Sequence, residues 1–500
     1  MTFTPTLQQE AIVASAAAGA TIMCSAGAGC SKTSTIEMLA PKLPGVATAL
    51  AFNKSIQTEL QARLPSSITC LTMNGLGHRA WMKMVKGKVQ LNAGKIGDIL
   101  KPILDESKLP FEERAELFPN IIRIVSLAKS AGLIPVENTN YLGLCPDEDE
   151  SWEDFADSAY ITSSPFMFDV ARRVLKESIR QSYQGVIDFD DQIYMSTLFG
   201  APYERRDIML IDEAQDLSPI NHKQIQRSHP AQLIVVGDPR QAIYGFRGAD
   251  SNSMRSIEKK FPNLAFNNLP LSTTFRCPKS VVARQLHHYP DFNAFPTNAE
   301  GEVSTLPFFS PETFRNEESL AILCRNNGPL FRLVFKLLRA KLPVQFLGKD
   351  IGRNLKTLLK KACKPSDQSS KDLITSVERW RGEEIIKNSH NTTRLDGIHD
   401  RAESMMAIVE NSRSLADALA LVDDIFSRGG KISLATGHKA KGLEWNHVFH
   451  LDPFRVPSKK ALDSGDEAAI AQEKNLRYVI ETRTKNKLTM GNMENFEESN

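Results

Sequence analysis

Eight short apolar runs constrain the fold of this chain more than any other feature: Thr21–Cys24, Ala47–Phe52, Ile208–Ile211, Leu233–Val236, Ala321–Cys324, Val344–Leu347, Ile432–Ala435 and His447–Leu451. Each ends in polar residues or glycine, and stretches of helical composition lie between them. Runs this short, set between helices, read as strands of parallel sheets covered on both faces. They fall into two groups, before and after roughly residue 270, which predicts two α/β lobes. The length, 500 residues, allows two to four domains.

Two long stretches lack this strand rhythm, at about 77–186 and 351–430, and read as helical insertions into the two lobes. The first contains the acidic run Asp147-Glu148-Asp149-Glu150, expected to be a solvated loop. It also carries Arg172, Lys176 and Arg180 at helical spacing, a stripe that is either a solvated face or a phosphate track. The last ten residues, Gly491–Asn500, are polar and expected to fray.

Composition narrows the class. The apolar share, 41%, is that of a globular protein. A net charge of +2 means that any nucleic-acid surface is a local basic path, with modest but salt-dependent non-specific binding. Seven scattered cysteines without CxxC spacing argue against zinc and dithiol chemistry and fit a reducing compartment. The N-terminus shows neither a charged lead nor a cleavage site, so no signal peptide is expected. Ala11–Ser25 is alanine-rich, is broken by Gly19 and is too short to span a bilayer; it reads as a helix end, a turn and a buried strand.

The chemistry begins at Thr21-Ile-Met-Cys-Ser-Ala26-Gly27-Ala28-Gly29-Cys30-Ser31-Lys32-Thr33, a strand, a loop of small residues and a helix start. Phosphate oxygens need inward-facing backbone N–H groups, small residues let the backbone approach, and a helix N-terminus adds a favourable dipole. Lys32 would reach the β- and γ-phosphates of a nucleotide, and the Thr33 hydroxyl would hold Mg²⁺. Against the pattern GxxxxGK[ST], Ala26 and Ser31 stand where glycines are usual. Taken alone, the segment is either a phosphate loop or a flexible Ala/Gly turn. A helix N-terminus could lower the pKa of Cys30, and a plain loop filler is the other reading.

The apolar run before Asp212-Glu213-Ala-Gln-Asp216 reads as a strand ending in carboxylates, the position where parallel α/β proteins place ligands. Asp212 can hold Mg²⁺ through water, and Glu213 can polarise an attacking water. Downstream, Gln241 is a polar sensor candidate, followed by Tyr244, Phe246 and Arg247. Those aromatics either stack on bases beside a phosphate-neutralising arginine or belong to the core.

Together these segments resemble the UvrD/Rep-type helicases of superfamily 1, in matching order along nearly the whole chain. Gln8-Gln-Glu-Ala-Ile12 is similar to the adenine-reading glutamine motif, and Ala26–Thr33 to a Walker A loop usually written AGAGSGKT, in which Ala26 is normal and Ser31 departs. Ala51-Phe52-Asn53-Lys54 resembles motif Ia, Leu71–Leu76 the TFHSL segment, Ile187–Asp191 the DFDDL stretch, Asp212–Asp216 motif II and Gly237–Gly248 motif III. Thr274-Phe275-Arg276 resembles motif IV, Thr436–Trp445 motif V and Glu473–Arg483 motif VI. The AFNK and GHKAKGLEW variants look closer to the F-box DNA helicase branch and related phage or bacterial proteins than to UvrD itself, although neither an F-box-like segment before the motor nor an attached nuclease domain is expected.

The resemblance implies an α/β fold of two RecA-like parallel-sheet lobes with ATP bound between them. Lobe 1A would comprise 1–76 and 187–272, with insertion 1B at 77–186; lobe 2A would comprise 273–350 and 431–490, with a reduced insertion 2B at 351–430 and a polar tail at 491–500. Lys32, Thr33, Asp212 and Glu213 would come from the first lobe, and Arg276 and Arg483 would be arginine fingers from the second. Gln241 would report the γ-phosphate to the DNA track, Gln8 and Phe275 would meet adenine, and Glu444 the ribose. Phe52, Asn53, Lys54, Thr72, Tyr244, Phe246, Arg247, Thr436 and His438 would line the strand. His438 by itself could be a packed or capping histidine; its place beside Thr436 in motif V favours the strand.

Motif Ia carries its aromatic one place later than the TFTNK form, Ser34 replaces an arginine and Asn74 a histidine. The implied function is an ATP- and Mg²⁺-dependent 3′→5′ DNA helicase acting on single strands and junctions in repair, replication or recombination. It would be monomeric when free, non-membrane, and cytoplasmic, or nuclear in a eukaryote. Two rivals are a translocase that strips proteins from DNA without unwinding it, and a binding module that has lost turnover through Ser31.

Overall fold

The computed structural model describes residues 4–135, 141–159, 161, 163–243, 253–387 and 392–497. The chain divides into two units, one of residues 1–26 and 31–271, the other of 27–30 and 272–500.

The first unit holds a six-stranded sheet of β1 (Thr21–Ala26), β2 (Ala47–Ala51), β3 (Thr69–Thr72), β4 (Ile208–Ile211), β5 (Gln232–Gly237) and β6 (Phe266–Leu271). Its order is β3-β2-β4-β5-β1-β6 and every pairing is parallel. Strands β2, β4 and β5 are buried at every residue, as expected of a sheet covered on both faces. The second unit repeats this plan with β7 (Glu302–Thr305), β8 (Leu320–Cys324), β9 (Val344–Phe346), β10 (Ile432–Thr436), β11 (Trp445–Leu451) and β12 (Thr484–Gly491). The order is β7-β12-β11-β8-β10-β9, again all parallel. All eight apolar runs are strands, in the two expected groups.

Within the two six-stranded sheets, the strands without an apolar run are β3, β6, β7 and β12, and three of these lie at sheet edges. An edge strand has one neighbour and one wet side, so it needs no continuous apolar run. Phe266-Asn-Asn-Leu-Pro-Leu271 even tolerates Pro270, because an edge N–H need not pair.

In the first helical stretch, Met73–Val85, Lys95–Glu106, Phe111–Ala131, Asp149–Ser158 and Pro165–Tyr183 surround an apolar cluster that includes Trp81, Trp152, Tyr194 and Phe199. Inside it Lys95 reaches Asp191 at 2.7 Å, and Lys129 reaches Asp188 at 2.6 Å and Asp191 at 2.7 Å. Asp188 and Asp191 of the Ile187–Asp191 segment are thus buried partners of lysines from two other helices, while Asp190 is exposed. The acidic run at 147–150 is solvated as expected at Glu148, Asp149 and Glu150, but it is only in part a loop and its first acid is engaged. Asp149 begins a helix, and half-buried Asp147 accepts from Trp152 Nε1 and Arg172 Nε, each at 2.8 Å. Arg172 also pairs with Asp149 at 2.7 Å, and Arg180 with Glu177 at 2.6 Å, so two cations of the stripe are engaged by carboxylates.

The second helical stretch comprises Lys349–Ala362, Ser370–Lys387, Thr392–Val409 and Leu415–Ser427. Its buried residues join those of β8, β9 and β10 in a single apolar cluster. The tail is docked rather than frayed through residue 497. Met493 N donates to Asp452 Oδ1 at 2.7 Å, and Phe496 packs edge-on against Phe309. No helix among the described residues is long and apolar enough to cross a membrane.

Candidate active site

Parallel strands end on the same side, and β4, β5 and β1 are neighbours in the first sheet. The loop after β1, Asp212-Glu213 after β4 and Asp238 after β5 therefore emerge side by side, where open α/β sheets place ligands.

Helix Lys32–Leu39 follows the loop directly, with Thr33 half-buried in its first turn. Ser31 caps it in the left-handed conformation, φ 55° and ψ 43°, without a side-chain capping bond. That region costs an L-residue about 1–2 kcal/mol that glycine does not incur. Gly29, at φ 70°, is in place: a Cβ there would lie 2.5 Å from Arg276 Cβ and 2.7 Å from Thr274 Oγ1. Gly27–Cys30 group with the second unit, where Ala28 N donates to Tyr478 Oη at 2.8 Å and Phe275 N to Gly29 O at 2.9 Å. Ala26, Ala28 and Cys30 are fully buried.

In the first unit Lys32 Nζ meets Glu213 Oε2 at 3.0 Å. Gln215 Nε2 donates to the same oxygen at 2.5 Å, while Gln215 Oε1 accepts from Asp238 N at 3.0 Å. Asp238 in turn accepts from Gln241 Nε2 at 2.7 Å. A continuous polar path thus runs Lys32–Glu213–Gln215–Asp238–Gln241. Glu213, at φ 53°, is a second left-handed non-glycine residue, so both ends of the Lys32–Glu213 pair adjoin strained backbone.

The charges there do not balance. Burial, with Glu213 beside it, pushes the Asp212 carboxyl up to about 7 despite Lys32. Burial likewise raises Asp238. Burial alone would lower Lys32, but Glu213, Asp212 and Asp238 more than reverse this and hold its ammonium above the ordinary lysine range. Among the described residues no group of three or more His, Cys, Asp or Glu could hold a metal ion. Mg²⁺ commonly takes one or two carboxylates plus substrate phosphates and water. Thr33 and the cation-poor Asp212 fit that arrangement.

In the second unit Arg276 Nε donates to Glu444 Oε2 at 2.6 Å, and Lys485 pairs with the other Glu444 oxygen. Burial would raise Glu444, but these two cations lower it. The Phe275 ring lies 4.7 Å from that of Phe295. Arg483 is buried, with Nε donating to Val479 O at 3.0 Å. Gln8 is half-buried in helix Leu7–Ala17 beside the buried Gln9, whose Nε2 donates to Thr35 at 3.2 Å.

The candidate strand-lining residues divide. Phe52 is 45% exposed, free to present a ring face. Asn53 caps helix Lys54–Arg63 through Ile56 N, Lys54 donates to Gln57, and Thr72 caps helix Met73–Val85 through Gly75 N. Thr436 is buried at the end of β10, and His438 is half-buried beyond it. Tyr244, Phe246 and Arg247 lie outside the described residues. Gln215 and Asp238 are site residues that the motif patterns do not single out. Both stand inside the motif II and motif III segments, and their position after adjacent strands is the signal that finds them.

A strand, a small-residue loop and a helix, flanked by strand-end carboxylates on a parallel sheet, define a P-loop nucleotide-binding protein. Two family models match: the UvrD/REP helicase N-terminal domain over residues 100–262 and the UvrD-like helicase C-terminal domain over residues 350–495. The chain belongs to the UvrD-like helicases. F-box DNA helicase protein 1 of Schizosaccharomyces pombe is 25% identical, over 88% of this chain and 52% of its own length. F-box DNA helicase 1 of Gallus gallus is 23% identical, over 94% and 47%. The probable DNA helicase II homolog of Rickettsia felis is 23% identical, over 93% and 88%. The chain thus spans about half the length of the two F-box helicases.

Proposed function

We propose that the chain is an ATP-dependent 3′→5′ DNA helicase that couples hydrolysis to movement along single-stranded DNA. The observation that carries this reading is the Lys32–Glu213–Gln215–Asp238–Gln241 path at three adjacent strand ends. Relatives named as DNA helicases support the substrate.

Lys32 and Glu213 neutralise each other. A phosphate drawn into the loop competes for the Lys32 ammonium, because a doubly charged oxyanion outbids one carboxylate. Glu213 is then released to orient water. Thr33 and Asp212 would hold Mg²⁺, which would supply charge neutralisation at the phosphate oxygens. Arg276 turns to nucleotide as its pair with Glu444 opens, which releases Glu444 Oε2 for the ribose while Lys485 still holds the other oxygen. Arg483 is the second cation for the γ-phosphoryl group, and Gln8 and Phe275 hold the adenine. Gln241, at the far end of the path, carries the phosphate state toward Tyr244, Phe246 and Arg247. Phe52, Asn53, Lys54, Thr72, Thr436 and His438 complete the strand track. Single strands and junctions are the substrates, and the free chain is a monomer.

The test is ATP hydrolysis with and without single-stranded DNA, against Lys32→Ala, followed by unwinding of duplexes with 3′ or 5′ tails. DNA-stimulated hydrolysis abolished by the substitution, with unwinding only from a 3′ tail, is expected. Stripping of bound protein without strand separation would replace the helicase by a translocase. A second reading, a nucleotide- and DNA-binding module without turnover, is favoured by one observation, the left-handed Ser31. Phosphate release no higher than that of Lys32→Ala would establish it.

A further inference from the structure

Glu481 is the last residue of helix Glu467–Glu481 and is 1% exposed. A buried carboxylate at a helix C-terminus is doubly disfavoured, by desolvation and by the helix dipole, so helix stability does not account for it. Its partners do. Arg284 donates Nε to Oε2 at 2.9 Å and Nη2 to Oε1 at 3.1 Å, and Gln285 Nε2 donates to Oε2 at 2.5 Å. The fully buried His450 lies on β11 with Nδ1 3.7 Å from Oε1. Arg284 and Gln285 are the last two residues of helix Lys279–Gln285, which begins three residues after Arg276. Glu481 itself stands two residues before Arg483. A second tie runs alongside, from Cys277 Sγ to Thr482 O at 3.6 Å.

We propose that Glu481 is a positioning residue that locks the segment carrying Arg276 to the segment carrying Arg483, so that the two guanidinium groups present themselves to nucleotide as one unit. This rests on the function proposed above. The bidentate geometry suits such a lock, because a forked guanidinium–carboxylate pair fixes orientation as well as distance, which a single hydrogen bond does not. An arginine acting on a phosphoryl group loses effect with displacements of about 1 Å. Both ends of the lock lie outside the groups assigned to nucleotide, so Glu481 acts through Arg276 and Arg483 and not on the substrate.

The experiment is a double-mutant cycle in DNA-stimulated ATP hydrolysis with the full chain. Glu481→Gln keeps the shape and the Gln285 contact but loses the charge that holds Arg284. Its kcat should fall roughly ten- to a hundredfold, as misplacement of a catalytic group does, with KM for ATP changed less than about threefold. On an Arg483→Ala background the same substitution should lower kcat clearly less than it does in the wild-type chain, because one of the two groups it positions is gone and only Arg276 remains to be misplaced. Arg284→Gln, whose target is partly exposed, should reproduce the loss, and it takes the place of Glu481→Gln if melting shows that variant unfolded. A Glu481→Gln chain with wild-type kcat, or an equal loss on both backgrounds, overturns the lock and leaves the helicase reading intact. A wild-type chain without turnover overturns both.

Discussion

The carboxylates at the strand ends of the first unit and those tied to the arginine segments of the second shift in opposite directions. In the first, Asp212 is pushed up to about 7 and Asp238 is also raised, because burial outweighs the cation shared among them, Lys32. In the second, burial acts in the same sense on Glu481, yet His450 and Arg284 hold it down to about 2, and the exposed Glu444 is lowered by Lys485 and Arg276. A buried carboxylate is left short of positive charge at Asp212 and supplied with it at Glu481. A site left short is a site that a bound cation completes. A site fully supplied holds its arginines in place until an anion competes for them.

The largest effect should come from the supplied side. Replacing Arg483 with alanine should lower DNA-stimulated turnover by roughly 10³–10⁵, the range for loss of an arginine that stabilises a transferring phosphoryl group. Steady-state hydrolysis at saturating ATP measures it, with circular dichroism to confirm folding. A loss under about tenfold would break the contrast, since Arg483 would then be serving the fold alone.

Next comes the side left short. Asp212→Asn keeps an acceptor for the Glu213 N–H and removes the charge. Since the Asp212 pKa is raised from 3.8 to about 7, its contribution to stability is full below about 4 and is lost as pH rises through about 7. Three units correspond at most to roughly 4 kcal/mol. In a metal chelator, the wild-type chain should therefore melt lower at pH 8 than at pH 5, and the Asn variant should lack much of that slope while losing hydrolysis. Parallel slopes for the two chains would show that Asp212 is not the strained charge.

How far the sequence reveals this contrast depends on distance along the chain. Lys32, Asp212 and Glu213 are legible because each sits in a local pattern, an apolar run followed by the group that its strand delivers. The central strands are legible for the same reason, whereas an edge strand such as Phe266–Leu271 carries no apolar signature. Gln215 and Asp238 become site residues only once β4 and β5 are known to be neighbours. The Glu481 pairs, 196 and 197 residues apart in the chain, leave no periodic trace. Asp147 misled for a related reason: four consecutive acids look solvated until Trp152 and Arg172 are folded onto the first of them.

The supplied side has its own pH signature. Glu481 is lowered from 4.5 to about 2, so its contribution is present above about 4.5 and lost as pH falls through about 2. Roughly 3 kcal/mol is involved. Acid unfolding followed by tryptophan fluorescence should show Glu481→Gln less stable than wild type at pH 6, with the gap closing toward pH 2. A gap constant with pH would mean that the variant loses packing and not charge pairing.

The smallest effect concerns Ser31, where the imbalance is conformational. Its left-handed backbone costs about 1–2 kcal/mol, and glycine would remove that cost while adding about 0.5–1 kcal/mol of unfolded-chain entropy. Ser31→Gly should thus stabilise the nucleotide-free chain by up to about 1 kcal/mol, a rise in melting temperature of about 1–2 °C for a chain this size. The informative readout is turnover beside stability. If the strain only burdens the loop, hydrolysis at saturating ATP should equal or exceed wild type as the melting temperature rises. If the strain at Ser31 and Glu213 keeps the Lys32–Glu213 pair poised to open, the stabler variant should hydrolyse more slowly, and the charge-poor site would owe its readiness to its backbone as well as to its unbalanced carboxylates.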